Sequence, residues 1–105
     1  MRFDWYLIKR WFRFAYQRWT RGWSDRDTWN LDHTIAQFAL PRLRRFRRIH
    51  GGYPSDFESQ EQWNAAIDDM IYAMEAIIRD LHSVDYQRMD RGCELLGTYF
   101  RNLWW

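Results

Sequence analysis

Cysteine is almost absent from this sequence of 105 residues, in which Cys93 stands alone. A single cysteine excludes an intrachain disulfide and agrees with a reducing, cytosolic setting. Long apolar runs are missing as well: none approaches the roughly 20 residues that a membrane-spanning helix needs, and the first residues contain no signal-peptide core. These absences predict a soluble protein. The alternative is a basic aromatic helix over Met1–Trp19 that lies in a membrane surface, but no clean polar face separates from its apolar one.

The motifs of common enzyme and cofactor sites are missing too. His33, His50 and His82 share no helical spacing and have no cysteine cluster beside them, which argues against a zinc site. No serine stands in a Gly-x-Ser-x-Gly turn, and neither a Walker motif nor a dinucleotide-binding glycine fingerprint occurs. The sequence therefore predicts a protein without enzymatic activity, catalytic residues, bound metal or cofactor.

Aromatic residues are in excess: they make up 20% of the chain and include eight tryptophans. A chain of this length usually forms one domain, so we expect a single helical domain over residues 1–105. A core of that size does not easily enclose so many rings. Some of them should lie at a subunit interface or line a ligand site, where Trp, Tyr and Arg are enriched.

The two halves of the chain carry opposite charge. Residues 1–50 contain twelve Lys or Arg and four acids, a net charge of +8, whereas residues 51–105 contain four and ten, a net charge of −6. Either the halves neutralise each other within the fold or across a dimer contact, or the basic half faces an anionic partner.

Apolar residues at spacings of three and four predict an all-α, compact bundle of about four helices that oligomerisation completes. The first helix ends at Gly22, although its aromatic bias also suits a strand. One of its faces contains Trp5, Ile8, Phe12, Ala15 and Trp19. The second helix leads to His50, and Pro41 inside it predicts a kink near residues 37–40.

The third helix has the longest apolar stripe, with an ion pair between Glu75 and Arg79 on its outer side. The stripe comprises Trp63, Ala66, Ile67, Met70, Ile71, Met74, Ile77, Ile78 and Leu81. The fourth helix, capped by Ser83, has a stripe that places Cys93 in the core. Gly92 and Gly97 leave gaps where another helix can approach. Two more tryptophans, Trp104 and Trp105, are expected to dock on a partner subunit.

The segment Arg18–Asp32 lies between the first two predicted helices and concentrates aromatic and charged side chains. Ser24 and Asp27 have the spacing of a capping box, and Asn30 is a second possible N-cap. Asp25, Asp27 and Asp32 offer oxygen ligands to a hard cation, or an acid and base pair. Capping and ion pairing to Arg21 or Arg26 is the better interpretation, because the other ligands of a calcium loop are missing.

Arginine outnumbers lysine throughout the basic half, and guanidinium groups bind phosphate in a forked geometry and stack on flat rings. This pattern predicts a site for a small anionic nucleotide. Phosphate would be held by Arg18, Arg21 and Arg45, the base would stack on Trp23 and Trp29, and Asp25 or Asp27 would accept hydrogen bonds from base or ribose. The alternative is that the arginines pair with the acids of the second half and the tryptophans are core.

Several blocks of the sequence resemble a family of small, mostly uncharacterised proteins of tailed bacteriophages. The blocks are RWTRGWSDRDTWNLDHTIAQFALPRLRRF, GGYP, a Glu-Gln-Trp helix start with a later Asp-Asp-Met, and GCELLGTYFRNLWW. The resemblance implies an accessory phage protein in the host cytoplasm and carries over no catalytic motif.

By analogy with phage proteins that sequester nucleotide immune signals, we expect a homo-oligomeric, counter-defence sponge. The alternative is a protein-interaction module that docks on a host or phage protein through the basic aromatic half. Binding of long nucleic acid by Arg42–Arg48 is a third hypothesis, against which the acidic second half argues.

Overall fold

The computed structural model describes residues 4–79 and 83–105, and in these ranges the secondary structure is helical without any strand. The described residues form four α-helices, so the predicted all-α class is confirmed. Short 3-10 helices cover Asp25–Thr28 and Phe100–Asn102. None of these helices combines the length and apolar character that crossing a membrane requires. The α-helices are α1 Trp5–Arg21, α2 Leu31–Ile49, α3 Gln60–Ile78 and α4 Tyr86–Thr98.

The chain divides into two compact units, Met1–Thr34 and Ile35–Trp105, and the boundary falls within α2. The first unit contains α1, the 3-10 helix at Asp25–Thr28 and the start of α2. The second contains the rest of α2 with α3 and α4. The single domain predicted over the whole chain, and its completion by oligomerisation, stay predictions.

Both ends of α1 are set by its flanking residues. The side chain of Asp4 accepts a hydrogen bond from the Tyr6 N–H, and Gly22 takes a left-handed conformation at φ 82° while its N–H donates to the Arg18 carbonyl. Glycine adopts this conformation without the steric penalty of a Cβ atom. The predicted end of the first helix at Gly22 is confirmed, and the aromatic segment is helix and not strand.

Helix α2 continues through Pro41 from Leu31 to Ile49. Proline has no N–H to donate to the preceding turn. Pro41 therefore leaves the Gln37 carbonyl without its helical donor. The Arg42 guanidinium donates to the next carbonyl, that of Phe38, at 2.9 Å. The kink expected near residues 37–40 stays a prediction.

The core of the second unit is built around α3, whose apolar stripe is confirmed. Trp63, Ile67, Met70 and Met74 are buried, together with alanines of the same helix. Leu81, the last predicted member of the stripe, lies outside the described residues. Helix α2 contributes Ala36, Leu40 and Leu43 to the same cluster.

Helices α2 and α4 both run antiparallel to α3. At the start of α4 Asp85 contacts Tyr72, and at its end Tyr99 contacts Trp63, so α4 runs towards the start of α3. Arg44 pairs with Glu75 and Arg47 with Asp68, so residue numbers rise along α2 as they fall along α3. Glu75 therefore pairs with a residue of another helix, and the predicted Glu75 and Arg79 ion pair is absent from the described contacts. Arg79 instead donates its backbone N–H to the Glu75 carbonyl, where α3 ends.

Helix α4 approaches α3 at Gly92. A Cβ atom at this position would lie 2.1 Å from the Asp69 carbonyl oxygen and 2.7 Å from Ala73 Cβ, so only glycine permits this separation of the helices. The predicted close approach of another helix at Gly92 is confirmed. At Gly97 no described residue makes such an approach, because a Cβ there would meet nothing within 4 Å. The helix starts after Asp85, whose side chain accepts from the Arg88 N–H, and not after Ser83.

Cys93 is exposed, so its predicted place in the core is wrong. With Gly92 turned inwards against α3, the next residue points away from it, because successive helical residues are about 100° apart. Partial desolvation, together with the negative charge of Asp90, raises the pKa of the Cys93 thiol. A raised pKa leaves less of the nucleophilic thiolate at neutral pH, which argues against a reactive cysteine here.

Candidate functional site

The segment between α1 and α2 is held by a reciprocal pair of hydrogen bonds. Gln17 donates from Nε2 to Asp25 Oδ2 at 2.7 Å, and the Asp25 N–H donates to Gln17 Oε1 at 2.6 Å. Arg21 adds a second donor to the same carboxylate, with Nη2 2.7 Å from Asp25 Oδ1. The Asp25 carboxylate thus joins the end of α1 to the 3-10 helix that follows.

Asp27 closes the next turn. Its Oδ2 atom accepts from the backbone N–H of Ser24 at 3.0 Å, which is the arrangement that the Ser24 and Asp27 spacing predicts. Ser24 is fully buried, and Asn30 directly precedes the first residue of α2. The sequence presented Ser24 and Asn30 as alternative N-caps of the second helix. In the structure Ser24 precedes the 3-10 helix Asp25–Thr28, and Asn30 precedes α2.

The surroundings of Asp25 lower its pKa below the ordinary value of 3.8, first through the Gln17 hydrogen bond and then through Arg21. Since the folded state favours the carboxylate, this interaction stabilises the fold above the ordinary pKa. This stabilisation begins to be lost as the pH falls below about 4, the ordinary pKa, and it is gone once the pH is below the lowered pKa.

Replacing Gln17 by alanine is expected to raise the pKa of Asp25 towards 3.8 because it removes the largest cause of the shift. The measurement is an NMR titration of the Asp25 carboxyl carbon between pH 2 and pH 6, a range of about two units on either side of that value. Replacement of the exposed Gln87 on α4 serves as the control and should leave this titration unchanged. Identical Asp25 curves in wild type and Gln17→Ala would contradict the assignment.

Both tryptophans predicted to stack a base already carry a guanidinium on one side. Arg21 lies over the Trp23 ring at 3.8 Å from its centroid, and Arg10 lies over Trp29 at 5.1 Å. Trp29 also meets the buried Phe14 edge to face, with centroids 5.2 Å apart. Each indole remains about half exposed. The Arg21 guanidinium therefore already contacts the Trp23 ring and pairs with Asp25.

The remaining predicted phosphate ligands are exposed. The guanidinium groups of Arg18 and Arg45 have no ion-pair or ring partner among the described residues. Arg18 belongs to α1 in the first unit and Arg45 to α2 in the second. Within Arg42–Arg48, Arg44 and Arg47 pair with acids of α3, so part of this run neutralises the acidic half as the alternative interpretation expected.

In the described ranges, no group of three or more His, Cys, Asp or Glu side chains is placed to hold a metal ion. Asp25 and Asp27 instead accept the hydrogen bonds of the α1 to α2 connection.

The outer face of α1 exposes large aromatic side chains. Phe12, Tyr16 and Trp19 are 62%, 68% and 89% exposed, and they follow one another at spacings of four and three, so they share one side of the helix. Trp5 continues this side towards the start of α1 and is also exposed. We call this surface the α1 aromatic face. The sequence placed Trp5, Phe12 and Trp19 on one stripe without Tyr16, and it did not show that this side is exposed.

A cavity of about 370 Å³ lies in the second unit, where the end of α2, the Gly51–Pro54 loop and the last residues of the chain meet. Sequence reasoning missed it, although the GGYP loop and the paired tryptophans were the available signals. Trp104 and Trp105 form part of its wall, so they contact this cavity whether or not they also dock on a partner subunit. Its rings belong to Phe46, His50, Tyr53, Trp63, Trp104 and Trp105.

Comparisons with protein-family models, curated proteins and solved structures found no significant match to this chain. The resemblance to small phage proteins therefore stays a prediction, and the functional argument depends on the geometry of the chain.

Proposed function

We propose that this chain is a non-enzymatic interaction module that docks on an acidic protein partner through the α1 aromatic face. The observation that carries the proposal is the exposure of Phe12, Tyr16 and Trp19 on one side of a basic helix. Large exposed aromatic surfaces are uncommon on monomeric proteins and mark interaction sites. Trp, Tyr and Arg are the residues most enriched among those that dominate binding energy at interfaces.

The charge of α1 selects the chemistry of the partner. The helix contains five basic residues and no acid between Trp5 and Arg21. Lys9 and Arg13 lie one turn apart beside Phe12 and Tyr16, so the aromatic side chains have a basic border. An apolar groove with an acidic rim complements such a helix. The resemblance to phage proteins adds the proposal that this partner is a host or phage protein.

Photocrosslinking at matched positions tests this proposal. Tyr16 on α1 and Tyr86 on α4 are 68% and 67% exposed, so p-benzoylphenylalanine at either position is equally accessible. In bacterial lysate, Tyr16→p-benzoylphenylalanine is expected to give an adduct with an acidic protein, and Tyr86→p-benzoylphenylalanine is not. With that protein purified, Trp19→Ala should weaken binding by at least about 2 kcal/mol, roughly 30-fold, and Phe100→Ala should not.

Equal adducts from both positions, or none from Tyr16, would overturn the proposal. An adduct of the Tyr16 variant with a second copy of this chain alone would assign the α1 aromatic face to the homo-oligomer instead.

A second function, sequestration of a phosphate-bearing nucleotide, is favoured by the exposed and unpaired guanidinium groups of Arg18 and Arg45. It predicts that a cyclic di- or trinucleotide raises the melting temperature of the protein, because a ligand that binds only the folded state stabilises it. The same panel with Arg18→Gln should give a smaller shift. No shift with any nucleotide would contradict this function without affecting the proposal for α1.

A further inference from the structure

We propose that the cavity in the second unit binds an uncharged, planar heteroaromatic compound. None of the residues that line it belongs to the α1 aromatic face or to the Arg18–Asp32 segment, so the proposal does not depend on the proposed function. Its volume of about 370 Å³ falls at the lower end of the range of small-molecule pockets, about 300 to 1,000 Å³, and suits a compound of one or two fused rings.

Rings form most of the wall. Trp63 is only 1% exposed and belongs to the core, which makes its part of the wall rigid, whereas Trp104 and Trp105 are exposed members of the wall. Aromatic walls favour a flat ligand, because offset and edge-to-face contacts need a second ring. An aliphatic ligand of equal volume gains the apolar contact without the ring geometry.

His50 is fixed in the wall without any ligand. Its imidazole stacks on Phe46 with ring centroids 5.1 Å apart. Its Nε2 atom lies 2.9 Å from Asn64 Oδ1, and its Nδ1 atom lies 3.3 Å from the Gly52 carbonyl oxygen. A ring that is held before binding loses little conformational freedom when a ligand stacks on it.

The polar groups of the wall suit the edge of a heterocycle. The Asn102 side-chain amide lines the cavity and has no hydrogen-bond partner in the described part of the chain. An amide both donates and accepts, as ring nitrogens and exocyclic amines require. Within the described residues the wall contains no arginine, lysine, aspartate or glutamate side chain, so none of these provides a counter-charge for a phosphate or an ammonium group.

NMR titration of the intact chain tests the proposal with adenine, indole and nicotinamide as probes. Cyclohexanecarboxamide is the control ligand, since it matches nicotinamide in size and amide group but is not planar. We expect saturable shifts of the Trp104 and Trp105 indole N–H signals with the planar probes, and weaker binding of the control ligand.

Two glycine variants locate the site. A Cβ atom at Gly51 would meet nothing within 4 Å, and Gly51 lines the cavity, so Gly51→Leu should fold normally and obstruct the cavity, weakening binding at least about tenfold through lost stacking. Gly97→Leu, which is equally unobstructed and outside the cavity, should bind as wild type does. Absence of saturable binding, equal affinity for cyclohexanecarboxamide, or unchanged binding by Gly51→Leu would overturn the proposal. Binding of N-acetyltryptophanamide without binding of any planar probe would also overturn the proposal, and it would assign the cavity to a protein side chain.

Discussion

Replacing Trp63 by alanine is expected to lower the free energy of unfolding by about 3 to 5 kcal/mol, the usual cost of removing a buried aromatic side chain. Trp63 is 1% exposed and meets both Phe57 and Tyr99, with ring centroids 5.1 and 5.6 Å apart. Its removal takes away transfer free energy and leaves a hole next to a cavity that already exists. Urea unfolding followed by far-UV circular dichroism measures the loss.

Trp19→Ala is the matched control, because this tryptophan is 89% exposed and its removal should change the free energy of unfolding by less than about 0.5 kcal/mol. Comparable losses in the two variants would mean that Trp19 is buried in solution, by a second copy or otherwise, and would contradict the exposure of the α1 aromatic face.

Replacing Gly92 by alanine is expected to lower the free energy of unfolding by about 2 to 3 kcal/mol, even though alanine is the better helix former by about 1 kcal/mol. The new methyl group would lie 2.1 Å from the Asp69 carbonyl oxygen, which is backbone and cannot rotate away. Helices α3 and α4 must separate, which disturbs the contacts of Arg88 and Arg91 with Asp69. The same urea unfolding experiment measures the change.

Gly97→Ala provides the internal comparison on the same helix. Its Cβ would meet nothing within 4 Å, so only the helix propensity acts and the free energy of unfolding should rise by about 0.5 to 1 kcal/mol. The opposite signs of the two effects are the expected result. A stabilising Gly92→Ala would show that α3 and α4 do not approach as closely as the structure has them.

Local patterns predicted those features that depend on neighbours along the chain. The stripe of α3, the end of α1 at Gly22 and the Ser24 and Asp27 contact each involve residues within a few positions of one another, where helix geometry fixes the distance. The ion pairing of Asp25 and the capping by Asp27 were predictable for the same reason.

The candidate sites were harder to predict because they depend on packing. The sequence suggested one binding segment, Arg18–Asp32, and in the structure Arg21 and Asp25 are engaged with each other. The cavity joins Phe46 to Trp104 and Trp105, residues far apart in the sequence, and no periodicity marks such a meeting. The choice of Gly92 over Cys93 as the inward residue likewise depends on how closely a second helix approaches.

The sequence by itself determined an all-α chain, the end of α1 at Gly22 and the apolar stripe of α3, because spacing, caps and breakers act over one or two turns. Only the tertiary structure decided which apolar faces are buried. It left Phe12, Tyr16 and Trp19 exposed, placed Arg44 and Arg47 in ion pairs with α3, and formed a cavity lined by aromatic rings. The physical reason is that periodicity shows that a face is apolar, whereas burial depends on whether another element, or another molecule, covers it.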